Sequence, residues 1–133
     1  LGLGGVRVFF EEVVLDFPGV VVAELIGELD LGQRVYRQHC ADCHGAQGEG
    51  ARGAYPPLAG NRAVVMASPV NTVQAIVSGG FAPATAGHPQ PYGMPPFRTL
   101  LSPAEIAAVA SYVRQSWGNR AGAVSSLDVQ RVQ

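Results

Sequence analysis

Two stretches of this 133-residue chain cannot build a core of their own. Residues 45–60 read GAQGEGARGAYPPLAG, and residues 79–97 read GGFAPATAGHPQPYGMPPF. Gly loses more entropy than any other residue on ordering, and Pro lacks a backbone donor, so such stretches form neither helix nor strand interiors. Two long loops in a small domain are uncommon unless they wrap something. A bound planar group would supply the missing core.

Three helices are predicted around these loops. Asp30 precedes LGQRVYRQH with Gln33 three residues on, a capping-box pattern that predicts a helix from about Leu31 to Cys40. Gly32, Tyr36 and Cys40 share one face of it. Ser68-Pro69 opens PVNTVQAIVS and Gly79-Gly80 closes it, with Val70, Val73, Ile76 and Val77 as the apolar stripe. Ser102-Pro103-Ala104-Glu105 is a second capping box with Pro at the first helical position. Ile106, Val109, Ala110, Val113 and Trp117 carry that stripe, and Gly118 is the natural stop.

The amino-terminal 28 residues read differently. GVRVFF, VVLDF and VVVAEL are β-branched and aromatic, and Pro18-Gly19 suits a turn. A hairpin from about Val13 to Leu25 is the first expectation, with a helix from about Val20 to Leu29 as its competitor because AELIGEL holds good helix formers. Residues 1–30 hold six acids and one Arg, whereas residues 31–133 hold eight Arg and four acids. An acidic arm on a mildly basic body follows.

Composition narrows the class. Apolar residues make up 47% and charged residues 14%, which fits a folded domain. A net charge of −1 excludes a strongly basic nucleic-acid binder. Two cysteines are too few for a disulfide framework. No run of apolar residues is long enough for a transmembrane helix, so a membrane-spanning chain is not expected. The chain does not begin with Met and has no basic leader, so it reads as a processed form or a piece of a longer polypeptide.

The chemistry sits at Cys40-Ala41-Asp42-Cys43-His44. C-x-x-C-H is the haem c attachment pattern. Two thiols at this spacing can form thioethers with the two vinyl groups of one haem, and the adjacent His then reaches the iron. A zinc site would need further paired ligands, which His39 and His88 do not supply. A thioredoxin-like pair would need a βαβ context. The sixth iron position needs another residue. Met94 lies in Tyr92-Gly93-Met94-Pro95-Pro96-Phe97, where the prolines stiffen the loop and hold a sulfur in place at low ordering cost. Met66, in an apolar stretch, reads as core filler. His88 is the outside alternative as ligand, and His39 reads as a surface residue.

CADCH, YPPLAG, YGMPPF and the closing EIAAVASYVRQSWGN together make the chain from about Asp30 to Gln130 resemble a class I monohaem cytochrome c domain. The resemblance implies an all-α class I fold wrapping one covalent haem c, spanning residues 29–133. Residues 1–28 would be a hairpin-like or extended acidic extension: a docking arm, a linker or a dimer contact. It implies a helix crossing in which Gly32 and Tyr36 meet Val109 and Tyr112. It implies haem contacts from Cys40, Cys43, His44, Met94, Leu58, Ile76 and Phe97, with His44 and Met94 on the iron. The Pro57 carbonyl would receive the His44 Nδ1–H, with Pro56 as the neighbouring alternative. Arg62 would meet a haem propionate or simply lie in solvent.

The implied function is one-electron transfer between redox protein partners in the bacterial periplasm, as a free carrier or as the electron-transfer part of a dehydrogenase or oxidase complex rather than an enzyme in itself. The long loop before YGMPPF and the tail resemble cytochrome domains of membrane-bound alcohol and gluconate dehydrogenases. A haem peroxidase or gas sensor is the competing class, and it would need an open sixth position on the iron.

Overall fold

The structure, a computed structural model, describes residues 6–10, 13–17, 19–81, 86 and 92–133, with side chains from residue 27 onward. Strands β1 (Val6–Phe10) and β2 (Val13–Phe17) pair antiparallel, with Val6 opposite Phe17. Five helical segments follow: α1 (Gly19–His39), α2 (Ala41–His44), α3 (Val70–Ser78), α4 (Pro103–Gln115) and α5 (Ser126–Gln130). The element order sets a helical body behind a short hairpin.

The amino-terminal expectation needs two corrections. The hairpin forms one strand earlier than Val13–Leu25, and Val20 to Leu25 belong to α1. The helix formers of AELIGEL outweigh the β preference of the valines before them. Asp30 does not start a helix, because α1 runs straight through it. Its carboxylate instead meets Arg34 Nε at 3.2 Å, one turn on along an exposed face.

α3 forms where its punctuation predicts, and α4 starts at its capping box but ends at Gln115, short of the expected Trp117 and Gly118. Gly79 ends α3 with φ +65°, a conformation natural to Gly. Ser102 Oγ accepts the Glu105 N–H and the Glu105 carboxylate accepts the Ser102 N–H, closing the capping box of α4. Val73, Ile76 and Val77 of α3 are buried, but Val70 is half exposed in the first turn and lies off the stripe.

The core forms where α1 meets α4. Ile106, Val109 and Ala110 of α4 have no exposed surface. Each large buried aliphatic side chain of this kind contributes about 1.5–3 kcal/mol. At the crossing, a Cβ added to Gly32 would lie 2.9 Å from Tyr112 Cβ and 3.0 Å from the Ala108 carbonyl carbon. Only a residue without a side chain lets the two backbones approach so closely. The Tyr36 ring sits 5.4 Å from that of Tyr112 and 4.9 Å from that of Trp117, filling the space beside the glycine. Trp117, just past the helix end, takes φ +54°. The tail then returns across the body: Val124 and the fully buried Val129 join the same core. α5 carries its own capping box, Ser125 with Asp128.

Candidate cofactor site

A cavity opens between α2, α3, α4 and the two Gly/Pro-rich loops. It holds about 200 Å³ of cavity volume and is open at its mouth. Val64, Ile76, Val109 and Val113 supply much of its wall, with Leu58, Ala63 and Ala75. Cys40, His44, Pro56 and Met94 also line it. Native interiors tolerate few voids larger than a water molecule. An apolar space of this size beside a 133-residue core is a binding site for a large apolar group.

The residues of CADCH are held by local structure. Cys40 N–H bonds back to the Tyr36 carbonyl, continuing α1 into the motif. His44 N–H bonds to the Cys40 carbonyl at 2.9 Å, so one helical turn sets both residues. The Tyr36 hydroxyl donates to the Gly45 carbonyl at 2.6 Å and ties the end of this turn to α1. Burial, then the neighbouring Cys40, push the Tyr36 phenol above its ordinary range. Burial, with Cys43 beside it, pushes the Cys40 thiol up to about 12. A thiol held so far from ionisation is a poor thiolate nucleophile, which counts against a dithiol redox pair. Cys43 is half-buried.

His44 Nδ1 lies 3.0 Å from the Pro56 carbonyl oxygen. A carbonyl only accepts, so Nδ1 carries the hydrogen and the lone pair stays on Nε2. The acceptor is Pro56 and not the expected Pro57, whose carbonyl takes the Asn61 amide at 2.9 Å instead. The loop path makes this choice. Gly48 accepts from both Leu58 N–H and Ala59 N–H, and Gly50 N–H bonds to the His44 carbonyl, which turns Pro56 toward the imidazole.

Met94 is held on the far loop. Its N–H bonds to the Gly80 carbonyl at 2.8 Å and its carbonyl accepts from Gly80 N–H at 3.0 Å. The Gly79 backbone packs against the Met94 carbonyl and Pro95, where a Cβ would have no room. Leu58 and Ile76 line the cavity as expected, whereas Phe97 does not. Phe97 is buried and sets its ring 5.9 Å from that of His39, edge-on. His39 is therefore half-buried and not a surface residue. Met66 is 46% exposed and is not core filler. Arg62 is exposed. His88 lies outside the described residues.

Two side chains not anticipated from the sequence brace the cavity wall. Asn119, 3% exposed, accepts from Gly60 N–H at 2.8 Å and donates to the Leu58 and Val113 carbonyls. Arg114, 1% exposed, donates to the carbonyls of Val64, Met66 and Gly122. Burial holds its guanidinium below the ordinary arginine range. An Arg in the last turn of an amphipathic helix reads as solvated, so nothing local announced this one. Asn119 lies in the turn beyond α4, and its loop partners are distant in sequence.

The donor set suits one group. The Cys40 sulfur at the cavity wall with Cys43 three residues on, an imidazole with Nε2 free, a thioether on the opposite loop and an apolar interior fit a covalent haem, and the cavity would otherwise be a hole in the core. A family model for cytochrome c matches residues 29–117. The chain belongs to the cytochrome c family. Its cofactor is haem c, bound covalently. Over 108 residues, 80% of this chain, it is 38% identical to the alcohol dehydrogenase (quinone) cytochrome c subunit of Gluconobacter oxydans, covering 23% of that protein. The gluconate 2-dehydrogenase cytochrome c subunit of Pantoea cypripedii is 32% identical over 100 residues, 74% of this chain and 23% of its own. Cytochrome c-552 of Thermus thermophilus is 31% identical over 102 residues, 71% of this chain and 68% of its own. The chain thus spans less than a quarter of the dehydrogenase subunits it resembles and about two thirds of the Thermus protein. Among the described residues no helix is long and apolar enough to cross a membrane.

Proposed function

We propose that this chain is an electron-transfer domain of a quinone-dependent dehydrogenase complex, relaying single electrons between redox protein partners in the bacterial periplasm. The observation that carries this reading is that His44, with Nε2 left free, and Met94 line one apolar cavity. When bound there, the haem supplies a one-electron iron couple. Cys40 and Cys43 would fix it through two thioethers. His44 would donate Nε2, its basicity raised by the bond to Pro56. Met94 would donate its sulfur, a soft ligand that favours a higher potential than a second His. With both positions taken by the chain's own residues, none is left for a substrate. The valines of the wall keep water from the site and lower the local dielectric.

The relatives support the complex over a free shuttle, since the dehydrogenase subunits match more of this chain than cytochrome c-552 does. The match to cytochrome c-552 over 68% of that protein favours the free carrier as the second reading. Residues 1–28 fall before the family match and carry half of the acids. We take them as the contact with a partner subunit, a second copy or a preceding domain. Visible spectra of the ferric and ferrous protein, and of the ferrous protein under carbon monoxide, test the ligand set. A sharp ferrous α band, a weak far-red ferric band and no response to carbon monoxide are expected. A prompt carbon monoxide shift overturns the closed His/Met carrier in favour of a peroxidase or sensor.

A further inference from the structure

Two tyrosines outside the cavity join its two loops. Tyr55, on the loop that follows His44, stacks on Tyr92, on the loop that carries Met94, with ring centroids 5.2 Å apart and planes 29° from parallel. Tyr92 leaves 64% of its surface in solvent, so burial does not explain its place. Tyr55 sits beside the Cys43 sulfur, which also holds its phenol above the ordinary range. The backbone of Tyr55 is fixed as well: its carbonyl accepts from Ala51 N–H and its N–H bonds to the Ala51 carbonyl.

The Met94 side has two other supports. The backbone pair with Gly80 fixes Met94 itself. The Phe81 ring packs on Gly93, where an added Cβ would come 2.7 Å from Cζ. Both supports come from the same segment, Gly80–Phe81, and would move together with the loop. The tyrosine stack comes from the opposite loop, the one that supplies Pro56 to His44. It links the two sides of the cavity next to its cysteine edge.

We infer that Tyr55 and Tyr92 form a clasp between the His44 loop and the Met94 loop, and that both are positioning residues that keep the Met94 sulfur on the iron. The inference rests on the His44/Met94 ligand reading. Releasing the clasp lets the Met94 segment swing out with Gly80 and Phe81. The population with an open sixth position then rises, and any external ligand binds more tightly in proportion.

The test is a titration of the ferric holoprotein with imidazole, following loss of the far-red band, together with carbon monoxide association to the ferrous form. Tyr92→Ala and Tyr55→Ala are each expected to tighten apparent imidazole affinity about twofold to tenfold, the range of an aromatic pair. Tyr92→Phe keeps the ring and is expected to behave as wild type. The double variant is expected to match the singles, because one clasp can be broken only once. Thermal unfolding of Tyr92→Ala is expected to stay near wild type, since the side chain is mostly exposed. Unchanged imidazole affinity in Tyr92→Ala, or additive effects in the double variant, overturns the clasp. The ligand reading fails separately: wild type would then lack the far-red band and Met94→Ala would bind imidazole no differently. A wild type that shows the band, a Met94→Ala that loses it and a Tyr92→Ala that changes nothing would sink the clasp alone.

Discussion

Replacing Gly32 by Ala is expected to destabilise the protein, while Gly27→Ala in the same helix is expected to stabilise it. Both changes remove backbone freedom from the unfolded chain and improve helix propensity by about 0.8–1.0 kcal/mol. They differ in what the new methyl meets. At Gly27 nothing lies within 4 Å, so the propensity gain stands alone. At Gly32 the methyl would sit 2.9 Å from Tyr112 Cβ and 3.0 Å from the Ala108 carbonyl carbon. Those neighbours are a β-carbon and a helix backbone, and neither can swing aside. The two helices must separate, and overpacking of this kind costs about 1–3 kcal/mol. The net effect at Gly32 is therefore a loss of up to about 2 kcal/mol, against a gain of about 1 kcal/mol at Gly27. The propensity terms cancel between the two variants, so their difference isolates the packing term at about 1–3 kcal/mol. Urea denaturation of the holoprotein, followed by far-ultraviolet circular dichroism, measures it through the midpoint at a common slope. If both variants shift the midpoint upward by the same amount, the close crossing at Gly32 does not constrain the fold and the reasoning is refuted.

Met94→Ala is expected to open the ferrous protein to carbon monoxide and to lower its reduction potential; potentiometry that finds no change removes Met94 from the ligand set. Asn119→Ala leaves Gly60 N–H and the Leu58 and Val113 carbonyls without this partner. A loss of about 3 kcal/mol is expected, read from the urea midpoint, with faster amide exchange at Gly60. Glu105 is held below its ordinary value first by the Ser102 backbone N–H and then by the Ser102 side chain. Its folded value is depressed, so its contribution is complete above the unfolded value and is lost as pH falls through the folded one. Between about pH 6 and about pH 3, Glu105→Gln is expected to show a shallower decline in urea midpoint than wild type. Parallel curves would disprove that linkage.

The parts of this fold that were legible in the sequence are those whose partners lie nearby. The capping box at Ser102 and the stripe of α4 specify that helix within one stretch of chain, and both formed. The same pattern misled at Asp30, because a carboxylate before a helical run looks alike whether it caps a start or pairs with Arg34 inside a longer helix. A third example, Ser125 with Asp128, was readable by the same rule and marks α5. CADCH pointed to the cavity because its residues lie within one helical turn, and Cys40 and His44 line the wall. The choice of Pro56 over Pro57 was not legible: it depends on how Gly48 and Gly50 fold the loop back on itself. Arg114 and Asn119 escaped for a related reason. Their acceptors and donors at residues 58–66 lie 48 to 61 positions away, and no local pattern encodes such a distance.

Those two residues have a consequence for the speed of electron exchange. The carbonyls of Val64 and Met66 are locked onto the Arg114 guanidinium, and that of Leu58 onto the Asn119 amide. Unbound carbonyls beside the site would swing toward or away from a centre whose charge changes by one, and each swing would have to be undone on the return step. Here the wall dipoles are already committed elsewhere and stay still. A wall that does not reorient keeps the reorganisation energy small, as preorganised dipoles do in a water-excluded site. A stretch of chain with almost no regular structure thus behaves toward a moving electron as a rigid solvent.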